Sequence, residues 1–173
     1  VKLSNGTYMP LDPTWVPFCR ELWSSAEQQQ NYLPGVPEGS DLCITPVSAP
    51  ENHYVRIKAD NRLDADGILR GTFTLTAEGQ SDSNIRRIFT TGFQSEWKST
   101  MERQLLAISP KARLLSVDYG KNPKDYQAAP IKITFRYEIP DYALRGEGEM
   151  FFRPMVMNNL YNQVRSYMWI DTS

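Results

Sequence analysis

The sequence predicts an α+β fold, a mainly antiparallel β-sheet in the order β-β-α-α-β-β-β with two helices packed on it. Two observations lead to this prediction. Stretches after residue 51 alternate between apolar and polar side chains, which is typical of an antiparallel sheet with one solvated face. Between the second and third stretch, apolar residues recur at helical spacing instead. A β-hairpin and a proline-rich irregular segment are expected to precede this unit.

The hairpin is expected over residues 1–11. Its two extended runs flank Asn5-Gly6, a dipeptide that favours the positive φ angles of a type I′ turn. A short helix is expected within residues 18–30, and a loop over residues 31–50.

Proline marks a boundary along the chain. Seven of the 12 prolines precede residue 51. Each of them fixes φ and removes a backbone donor, so residues 1–50 are expected to be mostly extended or irregular. We therefore predict a boundary near Pro46–Glu51, with residues 51–173 forming a separate β-rich domain of ordinary size.

The first two strands of this domain flank a turn at residues 64–67. One places Val55, Ile57 and Ala59 on a common face. The other directs its apolar side chains inward, namely Leu69, Phe73, Leu75 and Ala77.

Two helices come next. Ser81, Asp82 or Ser83 is expected to cap the first, and Gly92 suits the position after its end. Ser95 is expected to cap the second. The apolar stripes are Ile85, Ile88 and Phe89 on the first helix and Trp97, Met101 and Leu105 on the second.

Three further strands complete the pattern. The third, near residues 143–153, contains Arg145, Glu147 and Glu149, whose charges are expected to pair across with Lys132 and Arg136. Its Glu147 and Glu149 are interpreted as a charged outer face rather than as an acid/base pair. The inward side chains of the first two are Leu115, Val117 and Tyr119, then Ile131, Ile133, Phe135, Tyr137 and Ile139.

Composition excludes several classes of protein. The 173 residues include 19 basic and 20 acidic side chains, so the net charge of −1 gives no electrostatic sign of nucleic-acid binding. Hydrophobic residues make up 40% and charged residues 23%, which excludes an intrinsically disordered chain. No apolar run approaches the roughly 20 residues that span a bilayer, so no transmembrane segment is expected.

Cysteine and histidine are too few for a structural zinc site. Cys19, Cys43 and His53 are the only such residues, whereas a closed site needs four ligands. No metal and no cofactor are therefore expected. The two cysteines are either buried free thiols or partners in one disulfide, and the sequence leaves both interpretations open.

Asp12 is the candidate site residue. It follows an extended run and stands between Leu11 and Pro13, which fixes the direction of its carboxylate. A triad carboxylate needs such a fixed direction, because it must accept the Nδ1–H bond of the catalytic imidazole. The alternative is that Asp12 simply opens an Asp-Pro-Thr turn.

The string from Gly6 to Trp15 resembles the segment of transglutaminase-like, papain-type cysteine hydrolases that contains the third member of a Cys–His–Asp triad. The resemblance implies that residues 1–3 end the histidine strand and that Asp12 is the triad carboxylate. The family order is Cys, His, Asp, so it also implies that nucleophile and base lie upstream of Val1. A chain whose first methionine is Met9 fits a processed or excised piece.

Two further strings extend the resemblance. Residues 31–39 and the glycine-spaced run over residues 66–79 are similar to the C-terminal domain of unknown function that comes after the core in multidomain bacterial transglutaminase-like proteins. A helix with an arginine comes next in that domain, and Arg86 or Arg87 matches it. The resemblance implies a non-catalytic accessory or scaffolding domain, a periplasmic or extracellular location, and the upstream core as its partner.

Two alternatives remain. A stand-alone module could bind a protein, peptide or glycan through an exposed aromatic patch within residues 111–153. An internal triad would combine Asp12 with His53 and either Cys19 or Cys43. Its chain order departs from the family, and neither cysteine follows a glycine or tryptophan at a helix start, where its pKa would fall.

Overall fold

The computed structural model describes residues 2–12, 23–127 and 129–154, and it confirms the α+β fold. Short 3₁₀ turns span Ser25–Glu27, Pro50–Asn52 and Gln94–Glu96. The helices are α1 (Gly79–Thr91) and α2 (Trp97–Leu106). The strands are β1 (Asn31–Tyr32), β2 (Cys43–Ile44), β3 (Tyr54–Leu63), β4 (Leu69–Glu78), β5 (Arg113–Asp118), β6 (Ile131–Ile139), β7 (Leu144–Arg145) and β8 (Met150–Phe151).

The main sheet has four antiparallel strands in the spatial order β3-β4-β6-β5. β3 and β4 pair without interruption from Tyr54 opposite Glu78 to Leu63 opposite Leu69. The chain then crosses through both helices to the far edge and returns along β6, beside β4. The central strands β4 and β6 therefore have a neighbour on each side, and the core is built on them.

The core confirms the predicted alternation. Phe73 and Phe135 stand opposite each other in the register and stack with ring centroids 4.3 Å apart. Burying one such side chain contributes about 1.5–3 kcal/mol. The buried apolar residues of the central strands are Leu69, Phe73, Leu75, Ala77, Ile131, Ile133, Phe135, Tyr137 and Ile139. The helices cover them with Ile85, Phe89, Trp97, Met101 and Leu105.

The edge strands depart from the predicted pattern. Of the common face on β3, Ile57 packs against the core while Val55 is exposed. On β5 a bulge between Leu114 and Ser116 shifts the register. The prediction that Leu115 faces inward is therefore wrong, because Leu114 packs on the core and Leu115 is exposed.

The predicted N-terminal caps of both helices are wrong. α1 begins at Gly79, so Asp82 and its serine neighbours lie inside the helix and not at the cap. Gly79 has a φ of +60°, and a Cβ there would overlap the carbonyl oxygen of Asn52. Glycine is needed at this point because β4 turns directly into the helix. Ser95 lies in a 3₁₀ turn without capping α2. Gly92 directly follows the end of α1, as predicted, with a φ of −100°.

The third predicted strand does not join the main sheet. Residues 144–151 form a separate two-stranded hairpin of β7 and β8. Arg145 pairs with Asp66 at 3.5 Å, in the turn between β3 and β4, and not with β6 as predicted. Glu147 and Glu149 are exposed in this hairpin.

The N-terminal hairpin is present in a reduced form. A single bridge joins Lys2 to Tyr8, and Gly6 has a φ of +83°. Asn5 lacks a positive φ, so the turn is not of type I′. The Asn5 side chain instead closes the turn, because its Oδ1 accepts a bond from the Thr7 amide at 3.0 Å.

The segment between this hairpin and the main sheet has little regular structure. Of the helix expected within residues 18–30, the structure describes residues 23–30, which form a 3₁₀ turn and no α-helix. The expected loop over residues 31–50 contains β1 and β2, which pair with each other over two residues.

Gly71 in β4 makes room for a buried polar contact. Tyr137 OH donates to Asn61 Oδ1 at 2.5 Å across the strand. A Cβ on Gly71 would overlap that oxygen and lie 2.5 Å from the carbonyl oxygen of Asp60. Burial of the Tyr137 hydroxyl raises its pKa to about 12.

Gly71→Ala is therefore expected to lower the free energy of unfolding by about 1–3 kcal/mol, because the added methyl displaces Asn61 or the edge strand. Urea denaturation measures this change. Gly35→Ala is the matched control, since nothing lies within 4 Å of its Cβ, and it should change stability by less than about 1 kcal/mol. Equal stability of the Gly71 variant and the native chain would show that no close approach requires glycine there.

Candidate functional site

Asp12 lies half-buried at the end of the N-terminal hairpin. The preceding residues, Tyr8 to Leu11, line one wall of a groove of about 730 Å³. The opposite wall is formed by residues 32–36, where Tyr32, Leu33 and Val36 supply apolar surface. The candidate carboxylate therefore belongs to the residue directly after the wall of a mixed aromatic and apolar cleft. Pro13 and Thr14 of its motif lie outside the described residues.

His53 has two structural bonds. Its Nδ1 accepts the amide N–H of Gln80 at 3.1 Å, so the proton is on Nε2, which donates to Ser48 Oγ at 2.7 Å. A catalytic base in a triad would use these two nitrogens for the nucleophile and the carboxylate. Both are bonded elsewhere here. Cys43 has a free thiol on β2, and Cys19 lies outside the described residues.

His53 belongs to a polar junction between the N-terminal segment and α1. Gln80 Nε2 donates to Ser25 Oγ at 3.0 Å, and the Ser48 amide donates to Gln28 Oε1 at 3.0 Å. Ser25, Gln28 and Ser48 are all buried. We name Ser25, Gln28, Ser48, His53 and Gln80 the polar junction. It fixes where the N-terminal segment meets the helix.

The second buried polar cluster is an ion pair inside α1. Asp82 Oδ2 accepts a bond from Arg86 Nε at 2.6 Å, and both side chains are almost fully buried. Asp82 Oδ1 accepts the Ile131 amide at 2.6 Å, where β6 begins. Burial raises the pKa of Asp82, and the bonds from Arg86 and Ile131 offset part of that rise.

Arg86 also holds the loop that connects β5 to β6. Its guanidinium donates to the carbonyl oxygens of Pro123 at 2.8 Å, Asp125 at 3.0 Å and Ala129 at 2.6 Å. The arginine that the resemblance left open is thus distinguished by burial, because Arg86 is buried and Arg87 is exposed. Sequence reasoning placed Asp82 at a cap and missed this cluster; the only sequence signal was the four-residue spacing of two opposite charges.

The loop held by Arg86 forms one wall of a cavity of about 550 Å³. Its other walls come from the first residues of β3 and β6, and the lining includes Tyr54, Arg56, Lys121 and Lys132. This volume is in the usual range for ligand pockets. Three exposed cations, Arg56, Lys121 and Lys132, and the buried Arg86 line it. The sequence predicted a cross-strand charge pair for Lys132 but no binding role for any of the four.

Aromatic side chains between residues 111 and 153 lie mostly in the core. Phe135 and Tyr137 are buried, as the alternation predicted. In the described part of that stretch, the exposed aromatic side chains are Phe151 and Phe152 on the β7–β8 hairpin. The described sheet therefore presents no row of rings of the kind that stacks sugars.

Neither a scan against protein-family models nor searches of curated proteins and of solved structures found a protein similar to this chain. Among residues 2–12, 23–127 and 129–154, no three histidine, cysteine, aspartate or glutamate side chains gather so that they could hold a metal ion. Neither helix in the described part of the chain has the length and apolar character that crossing a bilayer requires.

Asp82→Asn is expected to lower the free energy of unfolding by about 3 kcal/mol. The amide would leave the Arg86 charge buried without a counter-charge, and breaking one side of a buried pair costs about 3–5 kcal/mol. Urea denaturation measures the loss, and faster amide exchange at Ile131 would place it at the start of β6.

The control for this substitution is Glu102→Gln. Glu102 pairs with Lys98 at the same four-residue spacing, but at 4.0 Å and on the surface, so the expected change is below about 0.5 kcal/mol. If both variants lowered the free energy of unfolding by the same amount, burial of the Asp82–Arg86 pair would not increase its contribution to stability.

Proposed function

We propose that this chain is a non-catalytic accessory and scaffolding part of a transglutaminase-like protein. In this proposal, residues 1–50 are the end of the catalytic core and residues 51–173 are the accessory domain. The upstream core of the same polypeptide is the partner, and the location is periplasmic or extracellular. The observation that supports it is the distribution of apolar side chains along the chain.

Among the described residues, every buried hydrophobic side chain lies between Leu69 and Ala143. The described residues before residue 51 contribute no side chain to this core. They include instead seven of the 14 exposed large hydrophobic side chains. These seven are Leu3, Tyr8, Leu11, Leu33, Leu42, Ile44 and Val47.

Such a segment favours burial against a neighbour. Leu33, Leu42 and Ile44 are 66%, 69% and 65% exposed, respectively, although each would contribute about 1.5–3 kcal/mol if fully buried. Leu33 and Leu42 directly flank the paired residues Tyr32 and Cys43, so they lie close together. Contiguous exposed apolar surface is typical of contact sites. The accessory domain has its own core, so the partner of the segment is best sought in the preceding catalytic core.

Asp12 then has the role of the triad carboxylate. It would orient an imidazole whose residue, like the nucleophile, belongs to the upstream core. The groove beside its hairpin is apolar and aromatic, which suits contact with that core or with a peptide substrate. Without nucleophile and base, the chain itself has no catalytic chemistry.

The apolar segment can be tested with the dye ANS, whose fluorescence rises on exposed hydrophobic surface. A variant combining Leu33→Ser, Leu42→Ser and Ile44→Ser should lose at least half of the dye signal of the native chain. Its stability should change by less than about 1 kcal/mol, because all three positions are exposed. Phe93→Ser with Leu144→Ser is the control, since these equally exposed residues lie outside the segment. An equal signal loss in the control would contradict the proposal.

Catalysis by the chain can be tested directly. Incubated with a glutamine-containing peptide and a primary amine, the 173-residue chain should release ammonia no faster than buffer. Cys43→Ser should leave that rate unchanged. Ammonia release that this substitution or His53→Gln abolishes would show an internal active site and overturn the proposal.

A further inference from the structure

The outer face of the four-stranded sheet, opposite the helices, is rich in unpaired cations. Side chains alternate across a strand, so the residues between the core positions point to this face. Several of its cations are exposed and have no carboxylate partner among the described residues. We name this set the basic face: Arg56, Lys58 and Arg62 on β3, and Lys132 and Arg136 on β6.

Other charges on this side are already neutralised or few. Arg70 pairs with Asp64 and, at 3.4 Å, with Glu138. Glu138 also pairs with Arg113 at 3.4 Å. Three more acidic residues stand on this side, Asp60 on β3, Glu78 on β4 and Asp118 on β5, against the five cations of the basic face. The basic face therefore keeps a positive surplus although the whole chain has a net charge of −1.

The register orders these cations in rows. Arg56 stands opposite Thr76, and Thr76 stands opposite Lys132, so the two cations flank one threonine. Two strand spacings separate them, which is about 10 Å. Lys58 stands in the next row, which Thr74 and Thr134 complete, and Arg136 stands in the row after it, with Thr72 and Asp60. The floor between them consists of threonines, namely Thr72, Thr74, Thr76 and Thr134.

The cavity of about 550 Å³ lies at the first of these rows. The guanidinium of Arg56 stacks over the ring of Tyr54, 5.0 Å from its centroid. This cation–π contact restricts the position of the Arg56 side chain. A guanidinium held in this way can bind a carboxylate in a bidentate manner. Because Arg86 bonds three carbonyl oxygens of the loop, the opposite wall is already in place.

We propose that the basic face docks an acidic segment of a partner protein, with one aspartate or glutamate carboxylate bound in the cavity between Arg56 and Lys132. A flat, threonine-floored face flanked by cations is complementary to an extended chain of carboxylates. Single-stranded nucleic acid requires rings on which bases stack. On the described part of this face Tyr54 is the aromatic residue, and Arg56 covers its ring. The surface lies within residues 54–138, so this proposal goes beyond the accessory role and does not depend on it.

The test uses the full chain and fluorescein-labelled octaglutamate, followed by fluorescence anisotropy at low ionic strength. Binding is expected, and it should weaken as salt is added. A variant with Arg56→Gln and Lys132→Gln should bind at least about tenfold more weakly. Lys98→Gln with Arg103→Gln is the matched control, because it removes the same charge from exposed positions on α2; its affinity should change less than about twofold.

A second variant, Lys58→Gln with Arg136→Gln, tests the rest of the face and should weaken binding about threefold or more, while urea denaturation verifies that each variant folds. Absence of octaglutamate binding, or equal loss in the α2 control, would overturn the proposal. Tighter binding of labelled octathymidylate than of octaglutamate would also overturn it, since the face would then favour nucleic acid.

Discussion

The buried Asp82–Arg86 pair constrains more of this structure than any other polar contact among the described residues. Two charges inside a protein are tolerated only when their hydrogen-bonding groups are satisfied. Asp82 meets that condition through Arg86 and the Ile131 amide, and Arg86 through three carbonyl oxygens of one loop. These bonds tie Pro123, Asp125 and Ala129, in the connection between β5 and β6, to α1. Together with the bond to Ile131, they hold the start of β6 and the wall of the cavity beside Arg56.

Much of the fold could be predicted because it depends on local periodicity. Strands with apolar residues at every second position can bury only one face, so the inward positions of Phe73 and Phe135 follow from the sequence. The stripe of Trp97, Met101 and Leu105 similarly needs only helical spacing, and all three are buried. The alternation predicts burial best on the central strands, because their inner faces are fully covered. At the edge strand β3 the same alternation is present, yet Val55 remains exposed.

Features that depend on distant parts of the chain could not be predicted. The spacing of Asp82 and Arg86 matches that of the exposed pair Lys98 and Glu102, so spacing alone does not reveal burial. The bulge that exposes Leu115 arises from pairing with β6. The cavity escaped prediction for the same reason, since its cations come from separate strands and a loop. Asp12, in contrast, was named from the sequence alone, because its proposed role rests on a short motif. The structure adds only that it is half-buried beside a groove.

The basic face and the apolar N-terminal segment are the two surfaces that the helices leave uncovered. Helices cover the inner face of the sheet, so the proposed contacts with other proteins use the outer face and the N-terminal segment. The polar junction joins that segment to α1 through Ser25, Ser48 and His53. Such bonds contribute only about 1 kcal/mol each, but they fix direction. A neighbour bound to the apolar segment would therefore be held in a fixed direction relative to α1. The basic face on the sheet would stay accessible to a second partner.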